Sequence, residues 1–186
     1  EIRWIVENLF VGNKLTRNMA QLEPGRTVDL KSVVAPIIVF ASHGDNITPP
    51  QQALNWILDT YADVQEIRVR GQRIIYMVHE EVGHLGIFVS SKIARKEHTE
   101  VASTMKTIEA LAPGLYEMKI DAVEGHGQDK SFLVSFAERG FDDIRQIDDG
   151  RADERPFAAV ARMSEWQAEL YDMALRPVVQ AMVSPE

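Results

Sequence analysis

Two short apolar runs constrain this chain more than anything else in it. Val33-Val34-Ala35-Pro36-Ile37-Ile38-Val39-Phe40-Ala41 is apolar without alternation, and Ile74-Ile75-Tyr76-Met77-Val78 repeats the texture. A strand with one solvated face alternates apolar and polar side chains. A continuous run instead reads as a strand covered on both faces, as in parallel sheets. Between the two runs, Thr48-Pro49-Pro50-Gln51 offers an N-cap, a proline for the first turn and a Gln three residues after the cap. Apolar residues at 53, 54, 57, 58 and 61 continue that helical stripe to about Tyr61. A helical crossover between strands implies parallel neighbours, because antiparallel neighbours need only a hairpin.

The expected fold class is therefore α/β, a doubly wound parallel sheet with right-handed crossovers. Sheets of this kind hold their chemistry in loops beyond the carboxyl ends of the strands. Two such loops exist here, 42–48 and 79–86, and both contain His or Asp.

Elsewhere the pattern is less directive. Apolar residues at 2, 5, 6, 9 and 10 make a helical stripe that stops near Gly12-Asn13, and a polar stretch follows with a turn at Pro24-Gly25. Val64 to Arg70 reads as a short helix ending at Gly71, and further helices are expected at about 85–93 and 97–111. Ala112-Pro113-Gly114 breaks the pattern. Strands are then expected at 115–123 and 131–137, and a long helix from about Arg155 with Pro177 as a kink or stop. The division that follows is residues 1–112 as the α/β part and residues 113–186 as an appended α+β segment.

Composition excludes several classes. There are no cysteines, so a disulfide scaffold, a zinc ribbon, an iron–sulfur site and a cysteine nucleophile are absent from these 186 residues. The formal charge is −8, and residues 94–186 hold 18 acidic against 11 basic side chains. Such a surface repels phosphate backbones, so no nucleic acid partner is expected. The longest apolar run is nine residues and contains Pro36, far short of a transmembrane segment. The chain begins at Glu1 with no secretory pattern, and it reads as a piece of a longer cytoplasmic protein.

Two motifs fail on inspection. His79-Glu80-Glu81-Val82-Gly83-His84 imitates a zinc-protease box, but its histidines stand five apart instead of four and a glycine intervenes. Ser42, after a buried strand, imitates a nucleophile elbow, yet Phe40 replaces the small residue that the elbow needs and the helix signal begins only at Thr48. Lys92, Arg95 and Lys96 share a helical face that reads as solvated. Gly125-x-Gly127 lacks both the third glycine and the helix of a nucleotide loop.

Asp45 and His84 remain. Each follows a buried strand, at the end where an open sheet keeps its crevice. Asp45 supports two readings equally: an acid that orients a histidine, or a residue that holds its own turn. His84 lies between Gly83 and Leu85-Gly86, free to face a cleft or to cap local backbone. Their order along the chain, acid then histidine, is that of the last two members of an α/β-hydrolase triad.

A wider resemblance joins these residues. Glu7-Asn8-Leu9-Phe10-Val11-Gly12-Asn13, Val28-Asp29-Leu30 and Phe40-Ala41-Ser42-His43-Gly44-Asp45-Asn46-Ile47-Thr48-Pro49-Pro50 belong to it. So do Gly83-His84-Leu85-Gly86-Ile87-Phe88-Val89, Ile108 to Met118 and Phe157 to Arg162. Together they resemble the bacterial polyhydroxyalkanoate-synthase-like branch of the α/β-hydrolase superfamily. The resemblance implies that Asp45 is the triad acid and His84 the general base. It places the nucleophile, Cys or Ser, in a preceding part of the protein.

The expectation is then the C-terminal part of an α/β-hydrolase-type doubly wound sheet. Its activity would be acyl transfer or cleavage of a small-molecule ester or thioester, with no cofactor and no metal. Homo-oligomerisation is left open. The competing expectation is a non-catalytic module of the same fold, serving assembly or storage-granule association.

Overall fold

The computed structural model describes residues 2–10, 13–80, 83–84, 104–124, 131–147, 151–152 and 154–183. The expected helix at 85–93, the start of that at 97–111, the basic residues 92, 95 and 96, and the 125–127 turn lie outside them. Two compact units are formed, Lys14–Gly150 and the pair of segments Glu1–Asn13 and Arg151–Glu186.

In chain order the elements are α1 (Ile2–Ile5), extended by a π turn at Val6–Phe10, and a two-stranded antiparallel ribbon of β1 (Gln21–Glu23) and β2 (Arg26–Thr27). Then come β3 (Ile37–Ser42), α2 (Pro50–Thr60), α3 (Val64–Val69), β4 (Arg73–His79) and α4 (residues 104–110). β5 (Gly114–Glu124), β6 (Ser131–Glu138) and α5 (Phe141–Arg145) complete the first unit. The second unit ends in α6 (Glu154–Leu170), a π turn at Tyr171–Leu175, and α7 (Arg176–Met182).

The first unit is α/β, with a mostly parallel four-stranded sheet in the order β3-β4-β5-β6. β3 runs parallel to β4 from Ile37↔Ile74 to Ser42↔His79, and β4 runs parallel to β5 from Arg73↔Gly114 to Tyr76↔Glu117. β6 closes the far side antiparallel to β5. The expected parallel pairing of the two apolar runs is what the structure has. The sheet also continues across residue 113, where the sequence pattern breaks.

The absence of alternation in the two runs has a direct cause. Side chains of successive strand residues point to opposite faces, and here both faces carry apolar layers. Ile37, Val39, Ile74 and Tyr76 pack on one face with Leu54 and Ile57 of α2, Ile67 of α3, and Phe141 and Ile144 of α5. Ile38, Phe40, Ile75 and Met77 pack on the other with Met105 and Ile108 of α4.

Local chemistry sets the element ends. β3 begins at Ile37 because Pro36 has no N–H for the ladder; Val33 to Ala35 therefore stay outside it, and Val34 is 88% exposed. α3 is capped by Asp63, whose carboxylate accepts the Glu66 N–H at 2.8 Å. It ends in a Schellman turn: Gly71, at φ 74°, donates to Arg68 O, and Gln72 donates to Ile67 O.

In the second unit, Pro177 neither stops nor breaks the helix. The Arg176 N–H reaches back to Tyr171 O across the π turn, and Pro177 follows directly in α7. Along α6 no side chain is buried; Phe157, Val160, Met163 and Trp166 are all more than half exposed. Among the described residues, no helix is long and apolar enough to cross a membrane.

Candidate functional site

The site is built by the ends of β3 and β4. Their last residues, Ser42 and His79, are register partners, and the His43 N–H donates to His79 O at 2.8 Å. That bond ties the loop after β3 to the end of β4. The chain then turns at once, with the Asp45 N–H donating to Ser42 O at 3.1 Å and the Gly44 N–H to Ser42 Oγ at 3.2 Å. Ser42 is only 3% exposed, and its hydroxyl oxygen serves this turn. That is a structural use of the hydroxyl, in keeping with the failed elbow motif.

Asp45 does both things that its spacing allowed. One carboxylate oxygen, Oδ1, accepts the Ile47 and Thr48 N–H groups, each at 2.9 Å, which is an Asx turn leading into α2. The helix starts one residue later than the sequence spacing suggests. Pro49 takes the cap position, its carbonyl accepting the Gln52 and Ala53 N–H groups, and Pro50 opens the helix with no side-chain cap.

The same carboxylate meets His84. The His84 Nδ1 atom lies 2.9 Å from Asp45 Oδ2 and 3.1 Å from Oδ1, across 39 residues of chain. The carboxylate side chain is 15% exposed and the imidazole 39% exposed, so Asp45 is mostly covered while the His84 ring keeps access to solvent.

The charge state follows from the surroundings. Partial burial pushes the Asp45 carboxyl up, but the Thr48 and Ile47 N–H groups and the His84 ring outweigh it and hold the carboxyl below its usual value. An ionised carboxylate has no proton to give, so the hydrogen between the two groups belongs to His84 Nδ1. That assignment leaves Nε2 as the acceptor of the ring.

The pair opens on a small cleft lined by Phe40, Ala41, Ser42, Thr48, Ala53 and Gly83 beside Asp45 and His84. Phe40 and Ala53 as lining residues were not legible in the sequence; the helical position of Ala53 gave no sign that it faces the cleft. His79, the other histidine of the failed zinc motif, stacks obliquely on Phe40 with ring centres 6.4 Å apart. Among the described residues, no group of three or more His, Asp or Glu side chains could hold a metal ion.

Comparison with known proteins gives kinship without chemistry. The chain is 48% identical over 192 residues to a Rhizobium meliloti protein called "Uncharacterized protein in ackA 5'region". The alignment covers 100% of this chain but only 26% of that relative's length. No solved structure matches. Residues 1–186, the whole chain, match the family described as "Protein of unknown function (DUF3141)", and the chain belongs to that family.

Proposed function

We propose that this chain supplies the acid and the base of an α/β-hydrolase-type acyl-transfer centre. The observation that carries the reading is the Asp45–His84 contact at the carboxyl ends of adjacent parallel strands. The resemblance to polyhydroxyalkanoate-synthase-like proteins supports it and points to hydroxyacyl esters or thioesters as substrates.

In this reading the nucleophile, a Ser or Cys, comes from another part of the full-length protein. His84 Nε2 takes its proton as it attacks the acyl carbon. The same proton then passes to the leaving alcohol or thiol, and water hydrolyses the acyl-enzyme, or a second hydroxyacyl group receives the acyl chain. Asp45 stays ionised throughout. It holds the ring in the Nδ1–H tautomer and stabilises the cation that forms.

The test is turnover of a hydroxyacyl thioester by the full-length protein. His84→Ala should lower kcat by about three orders of magnitude or more, whereas His79→Ala should keep most activity. A full-length protein that binds but never turns over such substrates would favour the non-catalytic module of the same fold.

A further inference from the structure

Glu154 to Met182 is one helical rod of 29 residues, made of α6, the π turn and α7. At 1.5 Å per residue it is about 40 Å long. None of its side chains is buried. Met163, Trp166, Leu170, Leu175, Val179 and Met182 are between 44% and 80% exposed.

The spacing of these six has a pattern. Successive members stand 3, 4, 5, 4 and 3 residues apart. Steps of three and four keep to one helix face. A step of five along an α-helix overshoots by about 140°. Here that step, from Leu170 to Leu175, spans the π turn at Tyr171–Leu175. A π turn closes its bond over five residues and winds more slowly, so Leu175 returns towards the face of Leu170. The π turn thus keeps the apolar stripe in phase along the whole rod.

We infer that this stripe pairs with the same stripe of a second copy of the protein, antiparallel, about a two-fold axis at the π turn. The occupant follows from the spacing, which reads the same from either end. A two-fold contact is reciprocal: where residue i of one copy meets j of the other, j also meets i. Turning the rod end for end sets Met163 level with Met182, Trp166 with Val179 and Leu170 with Leu175, apolar beside apolar each time. The area is sufficient. At roughly 200 Å2 for a fully exposed large side chain, the six present on the order of 700 Å2 per copy, close to the ~800 Å2 that each partner of a standard interface buries. Charge does not oppose it, because the rod holds four acidic and three basic side chains and most of the formal charge of −8 lies elsewhere. The same near-neutral balance lacks the basic excess that holds an amphipathic helix on a membrane surface. The pairing rests on the rod and is independent of the catalytic reading.

The test is sedimentation equilibrium of the full-length protein. The wild type should be dimeric. Leu170→Lys alone and Leu175→Glu alone should each raise the dimer Kd by about a hundredfold or more, since each sets an unpaired charge against leucine. An equimolar mixture of the two variants should dimerise again, within about tenfold of the wild-type Kd, because antiparallel pairing sets the introduced ammonium beside the introduced carboxylate. A variant that merely failed to fold could not be rescued in this way. Phe157 is 69% exposed but stands six residues before Met163, about 120° round the rod. Phe157→Lys should therefore leave the Kd within about threefold. A monomeric wild type would show that another surface covers the stripe, and it would overturn the proposal. A mixture that stays monomeric, or a Phe157→Lys variant as weak as the other two, would overturn it equally. No arm requires turnover, so the pairing and the acyl-transfer reading can fail separately.

Discussion

Ser42 and His79 stand opposite each other as the last residues of two parallel strands. From that register, three residues bring one chain segment to Asp45 and five bring the other to His84. The two loops leave the sheet in the same direction, and the His43 N–H to His79 O bond holds them together at their bases. The carboxylate and the imidazole then meet with little freedom left on the Asp45 side, because the Ile47 and Thr48 N–H groups hold its carboxylate independently of His84.

That division of labour predicts how Asp45 variants behave. Asp45→Asn should lose the acceptor that selects the Nδ1–H tautomer, and turnover in the full-length protein should fall by about four orders of magnitude. The fold should survive, because the amide oxygen can still accept the Ile47 and Thr48 N–H groups. Kinetics with unfolding curves on the same preparation check both halves.

The apolar layers make a second expectation. Leu115 is fully buried among β4, α2 and α5 side chains. Leu115→Ala should cost about 2–5 kcal/mol in urea unfolding. Leu133→Ala, on β6 at 62% exposure, should cost less than about 1 kcal/mol.

Glu66 gives a pH dependence. Its carboxylate accepts from Lys31 Nζ at 2.7 Å, from the Ala62 N–H at 2.9 Å and from Arg70 Nε at 2.9 Å. Lys31 first, then the Ala62 N–H, hold its carboxyl at about 2, below the usual 4.5. A depressed folded-state value means that the stabilisation is fully present above pH 4.5 and is lost as pH falls towards about 2. Glu66→Gln should lower stability near neutral pH by about 1 kcal/mol, with the exposed part of the group screened by solvent. Measured against pH, the difference between variant and wild type should shrink across that acid window.

Gly71 closes α3 with a positive φ of 74°. Open space surrounds the position where a Cβ would stand, so backbone strain alone sets the cost. Gly71→Ala should destabilise by about 1 kcal/mol, and thermal unfolding with calorimetry checks it.

These predictions draw on features of unequal legibility. The two apolar runs and the residues just beyond them were readable because strand burial and loop position are local patterns. The Asp45–His84 meeting followed from chain order and strand sense. Pairing partners are not local, and the sequence misled there. Ala112-Pro113-Gly114 carries a strong turn signal, but the Gly114 N–H donates to Gln72 O and the chain enters β5 beside β4. A turn signal says that the chain bends and leaves open which surface it bends towards. Thr48 illustrates the same limit on a smaller scale. Its spacing reads as an N-cap, yet the helix takes Pro49 as its cap and Thr48 closes the Asp45 turn instead.

The most direct test of the account is the tautomer of His84, read from the ring nitrogen shifts of the full-length protein labelled with 15N-histidine, the His84 signals being assigned by their loss in His84→Ala. The Asp45 contact predicts that neutral His84 carries its hydrogen on Nδ1, with Nε2 as the free acceptor, and that Asp45→Asn redistributes the hydrogen between the two nitrogens. A neutral ring protonated on Nε2 in the wild type, unchanged by Asp45→Asn, would contradict the pairing and with it the assignment of His84 as the base.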